Sequence, residues 1–386
     1  MRKFYTAEAV TEGHPDKLCD QIADAILDVC LKQDEQSRVA CEVLATKGNI
    51  IVAGEITSTY EPDVFAVVRK VLSDVGYSSE EIAMDTFVHL QSPDIAGAVD
   101  TSKERREGVS DNQMDWFQGA GDQGVMIGYA CDETKQLMPI PVVLANRIVR
   151  ELSACRQSSY IQGILPDGKA QVTVEYENGK PVRLDSVVVS CQHTEDKNLK
   201  KLEAEIRKKV LLPALRLLPP DEDTKIFINP SGRFVCGGMD ADTGLTGRKL
   251  MVDSYGSMVP HGGGAFSGKD CSKVDRSVAY MARYIAKNIV AARLASRCQV
   301  SLAYAIGVAQ PVMVQVDTFG TGKVCADDCL ELAIPLVFGL TPKQIVDSLR
   351  LTRPIFRQTA AFGHFGRKEF PWERTDKVEA LRNAVI

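Results

Sequence analysis

The sequence predicts an α+β fold of three similar units, each a small sheet with helices on one face. Two observations favour this fold class. Three times along the chain, a helical pattern of apolar residues leads into a two-stranded β pattern. Each hairpin is then followed by another helical segment, near residues 64–75, 199–212 and 330–349. Because sequence identity between the units is slight, ordinary alternation of helices and strands without a repeat stays open.

The first unit begins with a helix, whose apolar residues recur at helical spacing: Leu18, Ile22, Ile26 and Val29. Strands over 39–46 and 50–57 follow, joined by a turn at Lys47-Gly48-Asn49. The other two units repeat this order. Their segments are a helix over 142–155 with strands over 170–176 and 182–191, and a helix over 274–292 with strands over 299–308 and 312–318.

The composition is that of a soluble globular protein with room for two or three domains: 386 residues, 45% hydrophobic and 25% charged. A net charge of −5 gives no reason to expect nucleic acid or a membrane as the main partner. No apolar run reaches the ~18 residues of a membrane span, and the N-terminus lacks a signal-peptide core. The odd count of 11 cysteines, without a C-x-x-C pair, predicts reduced and mostly buried thiols in a cytosolic protein.

Residues 91–118 form a long connection with several glycines and the charged run Lys103-Glu104-Arg105-Arg106-Glu107. A connection of this length without secondary structure is either a functional lid or a linker. The pattern alone favours the linker.

Residues 261–270, HGGGAFSGKD, carry the clearest anion-binding pattern. Gly263, Gly268 and Lys269 fit the G-x-x-x-x-G-K spacing of a phosphate loop, but Asp270 occupies the place of the Ser/Thr that holds Mg²⁺. Glycine N–H groups approach an anion closely, and a lysine adds a point charge. The loop is therefore predicted to bind polyphosphate in a different way from an ordinary P-loop.

Residues 119–124, GAGDQG, match the pattern G-x-G-x-x-G. A dinucleotide fold needs a strand before this motif and a helix after it, whereas here a polar loop precedes and a strand pattern over 125–130 follows. The match is therefore not a Rossmann signature. Asp122 on this turn is either a ligand contact or a plain turn aspartate.

Two predicted helix starts concentrate charge. His14-Pro15-Asp16-Lys17 has the proline and acid of an ordinary helix start, yet it also places an imidazole, a carboxylate and an ammonium where anions bind. Ser272-Lys273-Val274-Asp275 resembles a capping box. Five charged residues crowd this second start beside the glycine loop: Lys269, Asp270, Lys273, Asp275 and Arg276. Such a mixture suits Mg²⁺-polyphosphate, and a solvated charged helix end is the alternative.

Other candidates are more scattered. Loops over 229–234 and 246–249 add three cations, and Asp167-Gly168-Lys169 has the composition of a turn. Glu42 and Glu55 share one face of the first hairpin only if the register allows it. No Ser–His–Asp or Cys–His arrangement stands out among the 5 histidines, which is compatible with a nucleophile supplied by the substrate.

Taken together, these segments resemble the S-adenosylmethionine synthetase (methionine adenosyltransferase) family. HGGGAFSGKD and GAGDQG are its two signatures, and both are intact here. Six further segments match in order: EGHPDK at 12–17, RVACE at 38–42, GEIT at 54–57, QSPD at 91–94, LTGRK at 245–249 and FGHFGR at 362–367. The resemblance runs from about Phe4 to Trp372.

The resemblance implies three α+β domains with pseudo-threefold symmetry, over 2–100, 113–232 and 233–372, and a mobile lid over 91–118. It also implies a cytoplasmic homotetramer, a dimer of dimers with active sites at the dimer interface, and no nucleic-acid or membrane partner. The methionine sulfur would attack C5′ of the ATP ribose, and the released tripolyphosphate would be hydrolysed to pyrophosphate and phosphate. Two Mg²⁺ and one K⁺ per site would assist.

The implied reaction agrees with the missing general base, because a thioether sulfur needs no deprotonation. Its barrier lies in the leaving group, whose developing charge must be stabilised. By resemblance, four residues are catalytic: His14, near the departing ribose oxygen, and Lys169, Arg248 and Lys269, at the phosphates. ATP would also be held by Asp167, Arg233, Phe234, Asp242, Lys249 and Ala265. Methionine would be framed by Glu55, Gln91, Asp122, Asp242 and Lys273. Asp16 and Asp275 would hold Mg²⁺, and Glu42 would serve the K⁺ site.

Two segments depart from the family pattern. Residues 237–242 lack the proline and glycine usual before Asp242, and the lid reads IAGAVD at 95–100 with a long charged continuation. One alternative function is a P-loop-like ATP hydrolase or kinase, against which Asp270 and the flanks of GAGDQG count. Another is a non-catalytic nucleotide-binding partner, against which the retention of every assigned charged group counts.

Overall fold

Three separate sheets with helices packed on them are present in the computed structural model, which describes residues 2–93, 97, 101–108 and 118–385. This architecture confirms the predicted α+β class. The strands are β1 (Arg2–Val10), β2 (Arg38–Thr46), β3 (Asn49–Thr57), β4 (Ala83–His89), β5 (Gly124–Cys131), β6 (Ile164–Glu177), β7 (Lys180–His193), β8 (Lys225–Ile228), β9 (Gly244–Leu245), β10 (Arg297–Tyr304) and β11 (Met313–Asp317). The α-helices are α1 (Pro15–Gln33), α2 (Val64–Val75), α3 (Lys103–Arg106), α4 (Ile140–Gln157), α5 (Leu199–Ile206), α6 (Leu212–Ala214), α7 (Leu250–Asp253), α8 (Val274–Ala291), α9 (Asp327–Val337), α10 (Pro342–Leu349) and α11 (Val378–Ala384).

The first sheet has the strand order β4-β3-β2-β9. β2 and β3 form the predicted antiparallel hairpin, and β4 adds in parallel to β3. α1 packs on β2, and α2 packs on α1. The predicted apolar positions Leu18, Ile22 and Ile26 of α1 are completely buried, so the spacing of apolar residues identified this helix correctly.

The second sheet has the order β1-β6-β7-β8, with α4 packed on β6 and β1. β6 and β7 are the predicted hairpin, extended to 14 residues each. The helix predicted over 199–212 is only in part an α-helix, because α5 passes into a π-helical stretch at Arg207–Leu211 before α6.

The third sheet has the order β11-β10-β5, and α8 packs on β5 and β10. The single helical segment predicted near 330–349 is two helices, α9 and α10. Pro342 begins α10, and Thr341 and Gln344 cap it reciprocally. Among the described residues no single helix is long and apolar enough to cross a membrane, although the bent pair α9 and α10 together meets that test by length and composition.

Each sheet contains a strand that lies far in the sequence from the other strands of that sheet. β1 pairs with β6, β9 pairs with β2, and β5 pairs with β10. The three sheets are therefore tied together by the chain itself. The domain division at 2–100, 113–232 and 233–372 stays a prediction.

The third predicted hairpin differs from the expectation of strands over 299–308 and 312–318. β10 ends at Tyr304, because the next residues bond to the GAGDQG segment instead. Gly307 N–H donates to the Ala120 carbonyl at 2.8 Å, and Ala120 N–H donates to the Val308 carbonyl at 2.9 Å. The link between the strands consequently docks the second signature motif onto the third sheet.

Candidate active site

The N-terminus of α1 has the helix-start chemistry that the sequence predicted. His14 is the N-cap, Pro15 is the first helical residue, and His14 Nδ1 accepts a hydrogen bond from Asp16 N–H at 3.2 Å. Burial and the nearby Lys249 ammonium together lower the pKa of His14 to about 4, against the opposing effect of Asp16. The ring is therefore neutral near pH 7. With Nδ1 as acceptor, its proton lies on Nε2.

Asp16 is the centre of this cluster. Its Oδ1 accepts a hydrogen bond from Leu245 N–H at 3.0 Å, and its Oδ2 forms an ion pair with Lys249. Arg248 lies at the edge of the pair, 3.9 Å from Oδ1. Burial opposes ionisation, but the Lys249 and Leu245 hydrogen bonds outweigh it and lower the pKa of Asp16. The carboxylate is therefore anionic and faces two cations.

Asp167 and Lys169 lie beside this cluster, and they are not on a turn. Both belong to β6: Asp167 lies within an irregularity in the pairing with β7 between Ile164 and Gly168, and Lys169 pairs with Ser190 just after it, so the turn prediction for 167–169 is wrong. An irregular strand uses the same residue types as a turn. Burial raises the pKa of Asp167 to about 6. Lys169 is held 2.8 Å from Glu8 of β1.

Residues 237–242, which differ from the family pattern, adopt a regular backbone conformation. They form a 3₁₀ turn over Gly238–Asp240, and Gly238 N–H donates to Asp167 Oδ2 at 2.8 Å. This turn places Asp242 where its charge acts on both His14 and Asp167. Asp242 therefore lies near His14 and Asp167 although the proline and glycine usual before it are absent.

The glycine loop is docked on the edge of β2. Cys41 N–H donates to the Gly268 carbonyl at 2.9 Å, and Ala40 and Lys269 form an isolated β-bridge. Gly268 has a φ of +79°, and a Cβ there would overlap the Cys41 carbonyl oxygen. Only glycine fits this close approach of two backbones.

Asp270, the residue in the magnesium position of the P-loop pattern, is completely buried. It accepts hydrogen bonds from Val39 N–H at 2.7 Å and Ser272 N–H at 2.8 Å, and it pairs with Lys273. The carboxylate is thus fully used in holding the loop to β2. These contacts agree with the prediction that the loop is not an ordinary P-loop.

The start of α8 differs from the predicted capping box. Lys273, not Ser272, is the N-cap, and its ammonium has no acceptor atom for a capping hydrogen bond. The Ser272 N–H, which the acid of a capping box would bind, is instead bonded to Asp270. Asp275 instead forms an ion pair with Lys269 at 2.6 Å. Asp275 therefore does not cap α8 but contacts the glycine loop through Lys269.

Glu42 and Glu55 lie on the same face of the first sheet, because the register of β2 and β3 allows it. Glu42 is opposite Ala53, and Glu55 is opposite Ala40, two positions along the same strand. Reduced hydration raises the pKa of Glu42, against the opposing effect of Lys269. Glu42 therefore faces the glycine loop.

The remaining predicted residues are more exposed. Glu55 lies 3.2 Å from His89 Nε2, and Gln91 N–H donates to Thr57 at 3.2 Å. Asp122 is exposed on its turn. Two nucleoside candidates lie beyond β8: Arg233 pairs with Glu195 at 2.7 Å, and Phe234 N–H donates to His193 at 3.1 Å. Ala265 lies next to Gly247.

Comparison with known proteins assigns the chain to a family. Three family models match along it: the N-terminal domain of S-adenosylmethionine synthetase over residues 2–94, the central domain over 117–234 and the C-terminal domain over 236–374. The chain belongs to the S-adenosylmethionine synthetase family. It is also 50% identical to "S-adenosylmethionine synthase" of Treponema denticola over 392 aligned positions, covering 99% of this chain and 98% of that protein.

Membership of the S-adenosylmethionine synthetase family confirms the predicted resemblance and the reaction class. The enzyme is a methionine adenosyltransferase that makes S-adenosylmethionine from ATP and L-methionine. The alternative of a P-loop-like hydrolase or kinase is not favoured. The family is also consistent with metal-dependent catalysis.

Sequence reasoning missed a row of acids on α1 of this synthetase. Asp20, Asp24 and Asp28 follow Asp16 at intervals of four residues, and each accepts at least one backbone hydrogen bond from a distant loop. Lys17 is also completely buried, 2.9 Å from Asp20. The spacing gave no signal, because these acids lie about 200° around the helix from Leu18, Ile22 and Ile26, on the face that ordinarily meets solvent.

The predicted metal ligands fit magnesium only together with substrate. Among the described residues, no three His, Cys, Asp or Glu side chains form a metal-binding group. Asp16 and Asp275 are single carboxylates, and each contacts a lysine. Magnesium commonly binds one or two carboxylates and completes its shell with water and substrate phosphates. The donor set therefore suits Mg²⁺ that arrives with a polyphosphate.

Most of the predicted lid lies outside the described residues, namely 94–96, 98–100 and 109–117. Its described part is anchored to the third sheet. Lys103 N–H donates to the Gly307 carbonyl at 2.8 Å, and Glu104 accepts from Ala309 N–H at 2.9 Å. Residues 101–108 are thus attached to the same link that holds GAGDQG.

Proposed function

We propose that the cluster around Asp16 receives the triphosphate of ATP and stabilises it as a leaving group. The observation that supports this most strongly is the ion pair of Asp16 with Lys249, next to a neutral His14 at the start of α1. The acid suits Mg²⁺, and Lys249, Arg248 and Lys169 suit phosphate oxygens. Lysine contacts to a carboxylate are exchanged easily for contacts to a phosphate of higher charge.

His14 is assigned to the departing ribose oxygen. Because its Nδ1 is occupied by Asp16 N–H, its Nε2–H is the group that donates a hydrogen bond. A neutral donor stabilises developing negative charge without needing to lose a proton at neutral pH. Methionine sulfur then displaces the triphosphate from C5′ with no general base.

The glycine loop is assigned to the same chemistry. Lys269 would bind a phosphate oxygen, and Asp275 would hold the second Mg²⁺, while Glu42 on the facing strand would serve one K⁺. The cations supply charge neutralisation for the polyphosphate. Retained among these groups, tripolyphosphate is then hydrolysed to pyrophosphate and phosphate.

The other roles follow from the family resemblance. Asp167, Arg233, Phe234, Asp242 and Ala265 would surround the nucleoside. Glu55, Gln91, Asp122, Asp242 and Lys273 would surround methionine, with the Glu55 carboxylate suited to its ammonium group. Residues 91–118 would cover the site as a lid, which replaces the linker interpretation.

We also propose a homotetramer built as a dimer of dimers, with active sites between the subunits of each dimer, and no nucleic-acid or membrane partner. All 11 cysteines are free thiols, most of them buried, which favours a reducing compartment such as the cytoplasm. The domains would span 2–100, 113–232 and 233–372.

The decisive assay incubates the purified protein with ATP, L-methionine, Mg²⁺ and K⁺. We expect the sulfonium product in equal amount with pyrophosphate and with phosphate. Omission of Mg²⁺ should abolish product, and replacement of K⁺ by a large organic cation should slow turnover. Release of γ-phosphate alone, with no requirement for methionine, would contradict this proposal.

A further inference from the structure

Two acids behind the proposed site bind the backbone of two different loops. Asp20 and Asp24 lie one and two helical turns beyond Asp16 on α1, and both are completely buried. Asp20 Oδ1 accepts the N–H of Gly247 at 2.9 Å, and Asp24 Oδ1 accepts the N–H of Gly268 at 2.8 Å. The two loops are therefore fixed to the same helix through equivalent hydrogen bonds.

Each bonded glycine immediately precedes a cation assigned to phosphate. Gly247 is followed by Arg248 and Lys249, and Gly268 is followed by Lys269. The backbone direction at these glycines sets where the following side chains begin. An acid that fixes the glycine N–H thereby fixes the origin of the cationic side chain.

Each acid also contacts a buried cation, which Asp20 shares with Asp253. Lys17 Nζ lies 2.9 Å from Asp20 Oδ2. Arg276 of α8 binds Asp24 through two hydrogen bonds, of 2.6 and 2.8 Å, and donates a third to the Lys269 carbonyl at 3.1 Å. Asp24 and Arg276 together thus hold the backbone on both sides of Lys269, and a forked arginine contact is rigid.

We propose that Asp24 with Arg276, and Asp20 with Lys17, are positioning residues that aim the cations of these two loops at the polyphosphate. This inference rests on the proposed phosphate role of Lys269 and Lys249. Buried ion pairs are inefficient stabilisers, because desolvation offsets much of their attraction. They do impose a single geometry, and a displacement of about 1 Å in a catalytic group costs roughly 100-fold in rate.

Asp28 provides a matched control on the same helix. It lies one further turn along α1 and accepts the N–H groups of Phe356 and Arg357, both at 2.9 Å. Neither donor precedes a cation assigned to the site. Asp28→Asn therefore tests what loss of a carboxylate from α1 does to the fold alone.

The test is a set of double-mutant cycles in the full-length protein. Asp24→Asn should lower kcat by roughly 10- to 100-fold with an unchanged KM for methionine. In a Lys269→Ala background, Asp24→Asn should cause no further loss, because the residue it positions is gone. In a Lys249→Ala background the two losses should multiply. Asp20→Asn should cause no further loss once Arg248 and Lys249 are both alanine, its loss should multiply with that of Lys269→Ala, and Asp28→Asn should keep kcat.

Multiplying effects of Asp24→Asn and Lys269→Ala would overturn the inference, as would an equal loss of kcat in Asp28→Asn. If Asp24→Asn does not fold, Arg276→Lys replaces it, since lysine keeps the charge and loses the fork and the contact with the Lys269 carbonyl. Full turnover in Lys269→Ala alone is a distinguishable result, because it would refute the phosphate assignment itself.

Discussion

At the scale of single residues, the proposed chemistry depends on a few ammonium groups that already contact carboxylates. Lys269 pairs with Asp275 at 2.6 Å, and its side chain is only partly exposed. Lys273 beside it is bound to the buried Asp270. The two neighbouring lysines therefore have different surroundings, since one partner is a proposed metal ligand and the other holds the loop to β2.

Lys269→Ala is expected to lower kcat by roughly 100- to 1,000-fold, because one preorganised cation at the leaving group is lost. The melting temperature should stay near that of the wild type, since the side chain contributes to no buried core. Steady-state kinetics and thermal unfolding measure the two effects. Lys70→Ala, which removes an exposed ion pair with Asp74, is the matched control and should leave kcat intact. A fully active Lys269→Ala enzyme would refute the assignment.

Asp28 gives a prediction about pH. Burial raises its pKa to about 6 from the ordinary 3.8, although the N–H groups of Arg357 and Phe356 oppose this change. Between pH 4 and pH 6 the folded protein therefore binds a proton at Asp28 that the unfolded chain does not. Stability from this group is present below the unfolded pKa and is lost as pH rises through the folded pKa.

Relative to Asp28→Asn, the wild type should accordingly gain about 2 kcal/mol of unfolding free energy between pH 7 and pH 4. Urea unfolding of both proteins at several pH values measures the difference. A gap between the two proteins that stays constant over this range would show that Asp28 ionises normally in the fold.

At the scale of elements, close approach of β5 and α8 depends on one glycine. A Cβ at Gly128 would overlap the backbone of Ala282 and Arg283 in α8. β5 also pairs with β10 along its whole length, so the strand has no room to move away. Helix, strand and sheet are therefore packed around a position without a side chain.

Gly128→Ala is expected to destabilise the fold by about 1–3 kcal/mol, because an added methyl in a packed interface forces the backbone apart. Thermal or urea unfolding measures this loss. Val125→Ala, on an exposed position of the same strand, should change stability by less than about 0.5 kcal/mol. Equal melting temperatures for the two variants would mean that α8 adjusts without cost.

Local signals explain which elements the sequence could predict. Helical spacing identified α1, α4 and α8, and the turn at Lys47-Gly48-Asn49 identified the first hairpin. The sequence could not predict which sheets β1, β5 and β9 join, because their partner strands lie far away in the sequence. The capping-box interpretation of Ser272 failed for a related reason. Whether its N–H is free depends on Asp270, whose position is set by Val39 in another unit.

The candidate site was predictable where a motif carried it. The motifs identified His14, Asp16 and Lys269, whose charged neighbours the structure then supplied. The buried acids Asp20 and Asp24 were not found, because their partners are backbone N–H groups of loops more than two hundred residues away. Sequence spacing reports which residues share a helix face, and it does not report what that face meets.

At the scale of the whole molecule, the charged groups form two sets within one chain. One set contains His14, Asp16 and Lys249 at the start of α1, and the other contains Lys269 and Asp275 at the glycine loop. Each proposed metal ligand pairs with a lysine of its own set. If active sites lie between subunits, the two sets of one chain are expected to serve different sites.

Mixed oligomers test this expectation. Asp16→Asn and Lys269→Ala chains should each be nearly inactive alone. In a mixed dimer, one site would receive both altered groups and the other would receive neither, provided that Asp16 of one subunit works with Lys269 of the partner. Random mixing at equal amounts should then restore about a quarter of wild-type activity, since half of the dimers are mixed and each has one intact site. Co-expression with two different tags supplies the mixture, and the doubly purified mixed dimers, with one intact site of two, should show about half of the wild-type kcat per site. If both groups act in one site from the same chain, every site in the mixed dimer retains a defect and no activity returns.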